Sequence, residues 1–176
     1  MRKSYVTITI VIIALCAIIT VAIYALTEKE RYSKEFAQNL FNSSLPPHTK
    51  VLEEHYSYGY SFAHLLGSGG YMPVVANMKL STNLNQEEIL NYYKKTPLFP
   101  FPNSNKKGVE LEVYFVGDSK THKVKDGYYF TAKDDSLQRV SHYKENREHN
   151  SLSEGETQQY ILQISSSFDY TFRLDK

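Results

Sequence analysis

The chain has 176 residues, with 20 basic and 19 acidic side chains, six histidines, one cysteine and no tryptophan. Arg2 and Lys3 account for its net +1; beyond residue 27 there remain 18 basic groups against 19 acidic ones. Near-neutrality excludes an electrostatic footprint for nucleic acid, and a lone cysteine excludes a disulfide-stapled scaffold.

The stretch YVTITIVIIALCAIITVAIYAL, from Tyr5 to Leu26, carries no charge. As a helix rising about 1.5 Å per residue it is long enough to cross a hydrocarbon layer of about 30 Å. Lipid is therefore the expected partner of residues 5–26, with residues 1–27 forming a transmembrane anchor. Arg2, Lys3 and the amino terminus precede the run, and the mixed cluster Glu28-Lys29-Glu30-Arg31 follows it. That asymmetry predicts a cytoplasmic N-terminus and an extracytoplasmic C-terminal domain on the cell membrane. Three other readings of the segment compete; one, a fully buried helix of a globular core, is opposed by its length. A cleaved signal peptide has a shorter apolar core and a small-x-small site, whereas Ile23-Tyr24-Ala25 places a large residue at −3. Lipid attachment at Cys16 would require a small preceding residue, which Leu15 is not.

Residues 28–46 read as a juxtamembrane helix and stalk, with a helix lying on the domain or at the lipid surface as the alternative. Tyr32, Phe36 and Leu40 recur at helical spacing, and Leu45-Pro46-Pro47 forbids continuation. The domain is expected over residues 47–176. Alternation over residues 50–62 (Leu52, Tyr56, Tyr58, Tyr60, Phe62) predicts a half-buried strand, with the Tyr56/Tyr58/Tyr60 stripe read as core and exposure left as the alternative. Gly67-Ser68-Gly69-Gly70 turns the chain, and residues 72–80 alternate again. Asn85 and Glu88 spell a capping box, with Leu84 and Ile89 as its hydrophobic staple. The helix ends by Pro97. A proline loop leads to a strand at residues 109–115, in which Glu110, Glu112 and Tyr114 take the solvent side. A polar turn is expected over residues 119–126, strands at 127–132 and 137–143, a polar loop at 144–156, and a long strand on the parity of Tyr160, Leu162, Ile164 and Phe168. The predicted order β-β-α-β-β-β-β is α+β: a mostly antiparallel sheet with one helix packed on a face.

Candidate chemistry is sparse. Gly117-Asp118-Ser119 follows a strand as a GDS-type nucleophile would, but no late Asp-x-x-His supplies the base, and a turn explains the motif. His48, His55, His64, His122, His142 and His149 show no ligand spacing, so surface or edge roles are expected. Asp134-Asp135 lacks the acidic ladder of a calcium loop. The sequence therefore assigns no catalytic, cofactor or metal residue. Lys94/Lys95 and Lys106/Lys107 flank the proline loop and solvate that face; contact with anionic wall polymers or headgroups is the alternative.

Between residues 45 and 93 the chain resembles a group of small single-pass membrane proteins of Gram-positive bacteria. The matching residues are Pro46 and Thr49, the turn Gly67-Ser68-Gly69-Gly70-Tyr71-Met72, and Leu84-x-x-Glu87-Glu88-Ile89-x-x-Tyr92-Tyr93. The resemblance implies a bacterial, membrane-anchored protein and carries no activity. Expected is a domain that binds a partner or ligand at the envelope. The alternatives are an envelope hydrolase using Ser119, Asp118 and a histidine, and a scaffold or regulatory subunit of a membrane complex.

Overall fold

The computed structural model describes residues 2–58, 72–101, 107–124, 127–133, 139–140 and 156–168. Helix α1 (Arg2–Leu26) contains the apolar stretch Tyr5–Leu26, with mean hydropathy 3.0, and no described part of the chain covers it. By length and composition it suits a membrane, either as an anchor or as a signal sequence. Its threonines suit an apolar surrounding, because Thr9, Thr20 and Thr27 each donate their hydroxyl to the carbonyl four residues back at 2.9 Å.

Helix α2 (Glu28–Phe41) follows with no linker: Thr27 N–H donates to Ile23 and Arg31 N–H donates to Thr27. The expected stalk is not what α2 forms. Ser33, Phe36, Ala37 and Leu40 are all completely buried, the last three against the domain's sheet. An apolar stripe at this spacing needs a surface to cover, and the sheet has an apolar face in need of a cover. Pro46 and Pro47 end the segment, and His48, with φ 58°, makes the left-handed turn into the first strand.

The sheet comprises β1 (Thr49–Tyr58), β2 (Met72–Thr82), β3 (Glu112–Phe115) and β6 (Gln158–Phe168) in the order β1-β2-β6-β3, with every neighbour antiparallel. A separate hairpin pairs β4 (Ser119–Val124) with β5 (Gly127–Ala132). The α+β class is as expected, with a three-layer section through the domain: helices, sheet, hairpin.

The helix-facing side carries Val74, Ala76, Met78 and Leu80 of β2, Tyr160, Leu162 and Ile164 of β6, and Val113 and Phe115 of β3. Helix α3 (Gln86–Tyr93) adds Ile89, Leu90 and Tyr93. Its start follows the sequence closely: Glu88 N–H donates to Asn85 Oδ1 at 3.0 Å, and Asn85 N–H donates to Glu88 Oε2 at 2.9 Å. Tyr56 and Tyr58 pack partly buried against the same core. Leu52 does not join them. The register slips between Val51 and Glu53, so Leu52 is the extra residue of a bulge and stays half-exposed.

Two expectations are corrected, and a third falls mostly outside the described residues. Residues 119–124 are a strand, not a turn; β4 lies on the outside of the hairpin, so it needs no apolar alternation. Of the expected strand at 137–143, the described part is Arg139 and Val140, where Arg139 bridges Glu112. Glu112 and Tyr114, expected in solvent, are buried, because the hairpin covers the second face of the sheet. The Gly67–Gly70 turn, Tyr60, Phe62, Lys106, the Asp134-Asp135 pair and the 144–155 loop lie outside the described residues.

Candidate functional site

The strand registers bring His55 of β1, Asn77 of β2, Gln163 of β6 and Glu112 of β3 into one row across the second face of the sheet. Strand β5 lies along this row. Gly127 sits on His55 and Ser57, Tyr128 lies over Asn77, Phe130 over Gln163, and Ala132 packs beside Tyr114 and Ile161. A peptide crossing four strands at this angle cannot share their ladder hydrogen bonds, so side chains supply them. Gln163 acts as a substitute strand: its Oε1 accepts from Phe130 N–H at 2.8 Å, and its Nε2 donates to Phe130 O at 3.1 Å. Asn77 Nδ2 donates to Tyr128 O at 3.4 Å.

Gln163 Nε2 also donates to Glu112 Oε2 at 2.7 Å. The Glu112 carboxylate accepts further from Tyr114 Oη at 3.0 Å and from Ser165 Oγ at 2.9 Å. Burial pushes its pKa above the ordinary carboxyl value, while the three donors and the nearby Arg139 charge pull against that rise. At the other end of the row the His55 ring stacks on Tyr128, with centroids 4.4 Å apart. The Tyr128 hydroxyl donates to Glu53, and its pKa is raised by burial and by that bond. His55 Nε2 and Ser57 Oγ are buried without a hydrogen-bond partner. A Cβ at Gly127 would collide with both side chains, so glycine alone lets β5 approach β1 this closely. The polar groups from Asn77 to Glu112 are consumed by one another and by β5. Chemically the row is a clamp on the hairpin.

The expected candidate residues are placed elsewhere. Gly117 and Asp118 lie in a short 3-10 turn, and Ser119 opens β4. Ser119 pairs with Ala132 and His122 with Tyr129, so strand alternation puts the two side chains on opposite faces of the hairpin. His122 Nε2 is bonded to Thr131 Oγ1 at 2.8 Å and its ring stacks on Tyr129. His48 is exposed in the turn before β1. His64, His142 and His149 lie outside the described residues. Among the described residues, no three His, Cys, Asp or Glu side chains converge as metal ligands would.

Among the described residues, one space open to a ligand lies on the helix side. A groove of about 650 Å³ runs between the end of α2 and the segment that leaves α3. Its polar wall includes Asn39, Asn42, Asn91 and Thr96; its apolar wall includes Tyr92 and Leu98. Three contacts hold it open. Asn39 Nδ2 donates to Pro100 O at 3.4 Å, Phe99 and Val109 exchange paired backbone bonds at 2.8 Å, and Gly108 packs against the Phe99 carbonyl where a Cβ would not fit. Beneath the groove, the Tyr93 and Tyr160 hydroxyls are 3.1 Å apart, and burial raises the pKa of both. No protein-family model, curated protein or solved structure matches the chain.

The clamp was not anticipated from sequence, yet signals for it exist. Asn77 interrupts Val-Val-Ala-Asn-Met and Gln163 interrupts Tyr-Ile-Leu-Gln-Ile. Runs apolar at both parities mark strands covered on two sides, and a lone amide within such a run must find hydrogen-bond partners.

Proposed function

We propose that this chain is a single-pass membrane protein of a bacterial envelope, with its N-terminus in the cytoplasm and its α+β domain binding a ligand or partner at the outer surface. The observation that carries this reading is the junction: an uncovered apolar helix passes directly into a helix built into the domain core. Such a helix exposes more apolar surface than water tolerates, and it leaves the domain no slack to move away from the bilayer. Tyr5 and Tyr24 bracket the span about 28 Å apart along the axis, the spacing of the two interfacial zones. The Arg31 guanidinium lies 3.9 Å over the Tyr24 ring, a cation–aromatic pair suited to the outer headgroup layer. Arg2 and Lys3 favour retention of the N-terminus inside.

The test uses the full chain with Cys16→Ser and Lys95→Cys, expressed in a bacterium. A membrane-impermeant maleimide is expected to label position 95 in intact cells, and the membrane fraction should hold a product of uncleaved mass. Labelling only after permeabilisation would reverse the orientation, and a product lacking the first 27 residues would replace the anchor with a signal sequence.

A further inference from the structure

We propose that the groove between α2 and the segment leaving α3 binds a neutral oligosaccharide. The proposal deepens the binding function above by naming its site and ligand class, and its chemistry does not depend on orientation. Sugars are amphipathic: each ring offers an apolar C–H face and a rim of hydroxyls that both donate and accept. The groove matches both demands. Tyr92, Leu98, Pro97 and Pro100 supply an apolar floor, and a tyrosine ring gives contact area at low entropic cost.

Asn42 and Asn91 also line it, with Asn39, whose Nδ2 donates to Pro100 O. A planar amide presents an acceptor oxygen and two donor hydrogens side by side, the arrangement that pairs with adjacent sugar hydroxyls. The Thr96 hydroxyl adds to the rim. The volume falls within the roughly 300–1,000 Å³ of small-molecule clefts.

Charge narrows the class further. Among the described residues that line the groove there is no carboxylate, and Lys95 is the cation. None of these described residues supplies an arginine fork of the kind that recognises phosphate, and they fit a neutral chain better than a polyanion. Asn39 and the C-cap residue Asn42 lie at the end of α2 away from α1.

Calorimetry on the full chain in lipid nanodiscs tests the proposal, using tetramers of β-1,4-linked N-acetylglucosamine, maltose-type glucose and xylose, with poly(glycerol phosphate) as the anionic comparison. At least one neutral tetramer is expected to bind saturably, about tenfold more weakly after Asn91→Ala, the worth of a lost hydrogen-bonding group. Lys95→Ala should leave that affinity within about twofold, the scale of an exposed charge. Tyr92→Phe keeps the ring and should retain binding, whereas Tyr92→Ala should abolish it; circular dichroism establishes that each variant is folded. The proposal is overturned if no neutral tetramer binds folded protein, if binding survives Asn91→Ala and Tyr92→Ala unchanged, or if only the polyanion binds. Binding by a chain whose domain proves cytoplasmic would refute the topology and leave the groove assignment standing.

Discussion

The two faces of the central sheet are held by different physics. On the helix side, Phe36, Leu40, Ile89, Leu80, Leu162 and Ile164 interlock with no exposed surface. Their attraction is proportional to area and almost indifferent to direction. On the hairpin side, two amides of a polar row, Asn77 and Gln163, grip the backbone of one crossing strand, and Glu112 holds Gln163 in place. Hydrogen bonds contribute little net stability each, but a broken one leaves a buried group unpaired. The helix layer therefore determines whether the domain folds, and the polar row determines where the hairpin sits.

The largest expected effect breaks the first half of that comparison. Phe36→Ala should cost about 3–5 kcal/mol in denaturant unfolding of the full chain in detergent, the range for a buried aromatic. A change near zero would restore the stalk reading of α2. Next, Gln163→Ala should cost about 1–3 kcal/mol through the groups it orphans, and amide exchange at Phe130 should accelerate more than at Leu80. Uniform acceleration across the sheet would mean that the row belongs to the general core.

Acid provides a reagent for the second face alone. Glu112 binds its proton more tightly in the folded state, because burial raises its pKa from the ordinary 4.5. A raised folded value means that its contribution to stability is fully present below 4.5 and is lost as pH rises through the folded pKa. Glu112→Gln should therefore flatten the dependence of the thermal midpoint on pH between 4.5 and that raised value. An unchanged slope would assign the titration to another group. The smallest effect is local to α3: Asn85→Ala should cost about 1 kcal/mol by removing one half of the capping box, with no change in hairpin protection.

These contrasts also mark what could be read in advance. The apolar run, the capping box, the strand parities of β2 and β6 and the α+β class all rest on periodicity or on neighbours within four residues, and the structure carries each of them. Neither the fate of α2 nor the existence of β4 could be read that way. A helical stripe looks the same whether it faces a sheet or a bilayer surface, and an outer strand with polar residues has no alternation to show. The bulge at Leu52 likewise depends on the register against β2.

What the amino-acid order determined by itself is a lipid-length helix followed by a near-neutral α+β domain, because hydropathy and period are properties of a single segment. Tertiary structure alone decided that α2 belongs to the core, that Glu112 is buried, and that two segments bearing asparagine and threonine meet in one groove. Those outcomes depend on pairing residues tens of positions apart. A segment cannot encode which distant surface will cover it, since burial is a property of the pair.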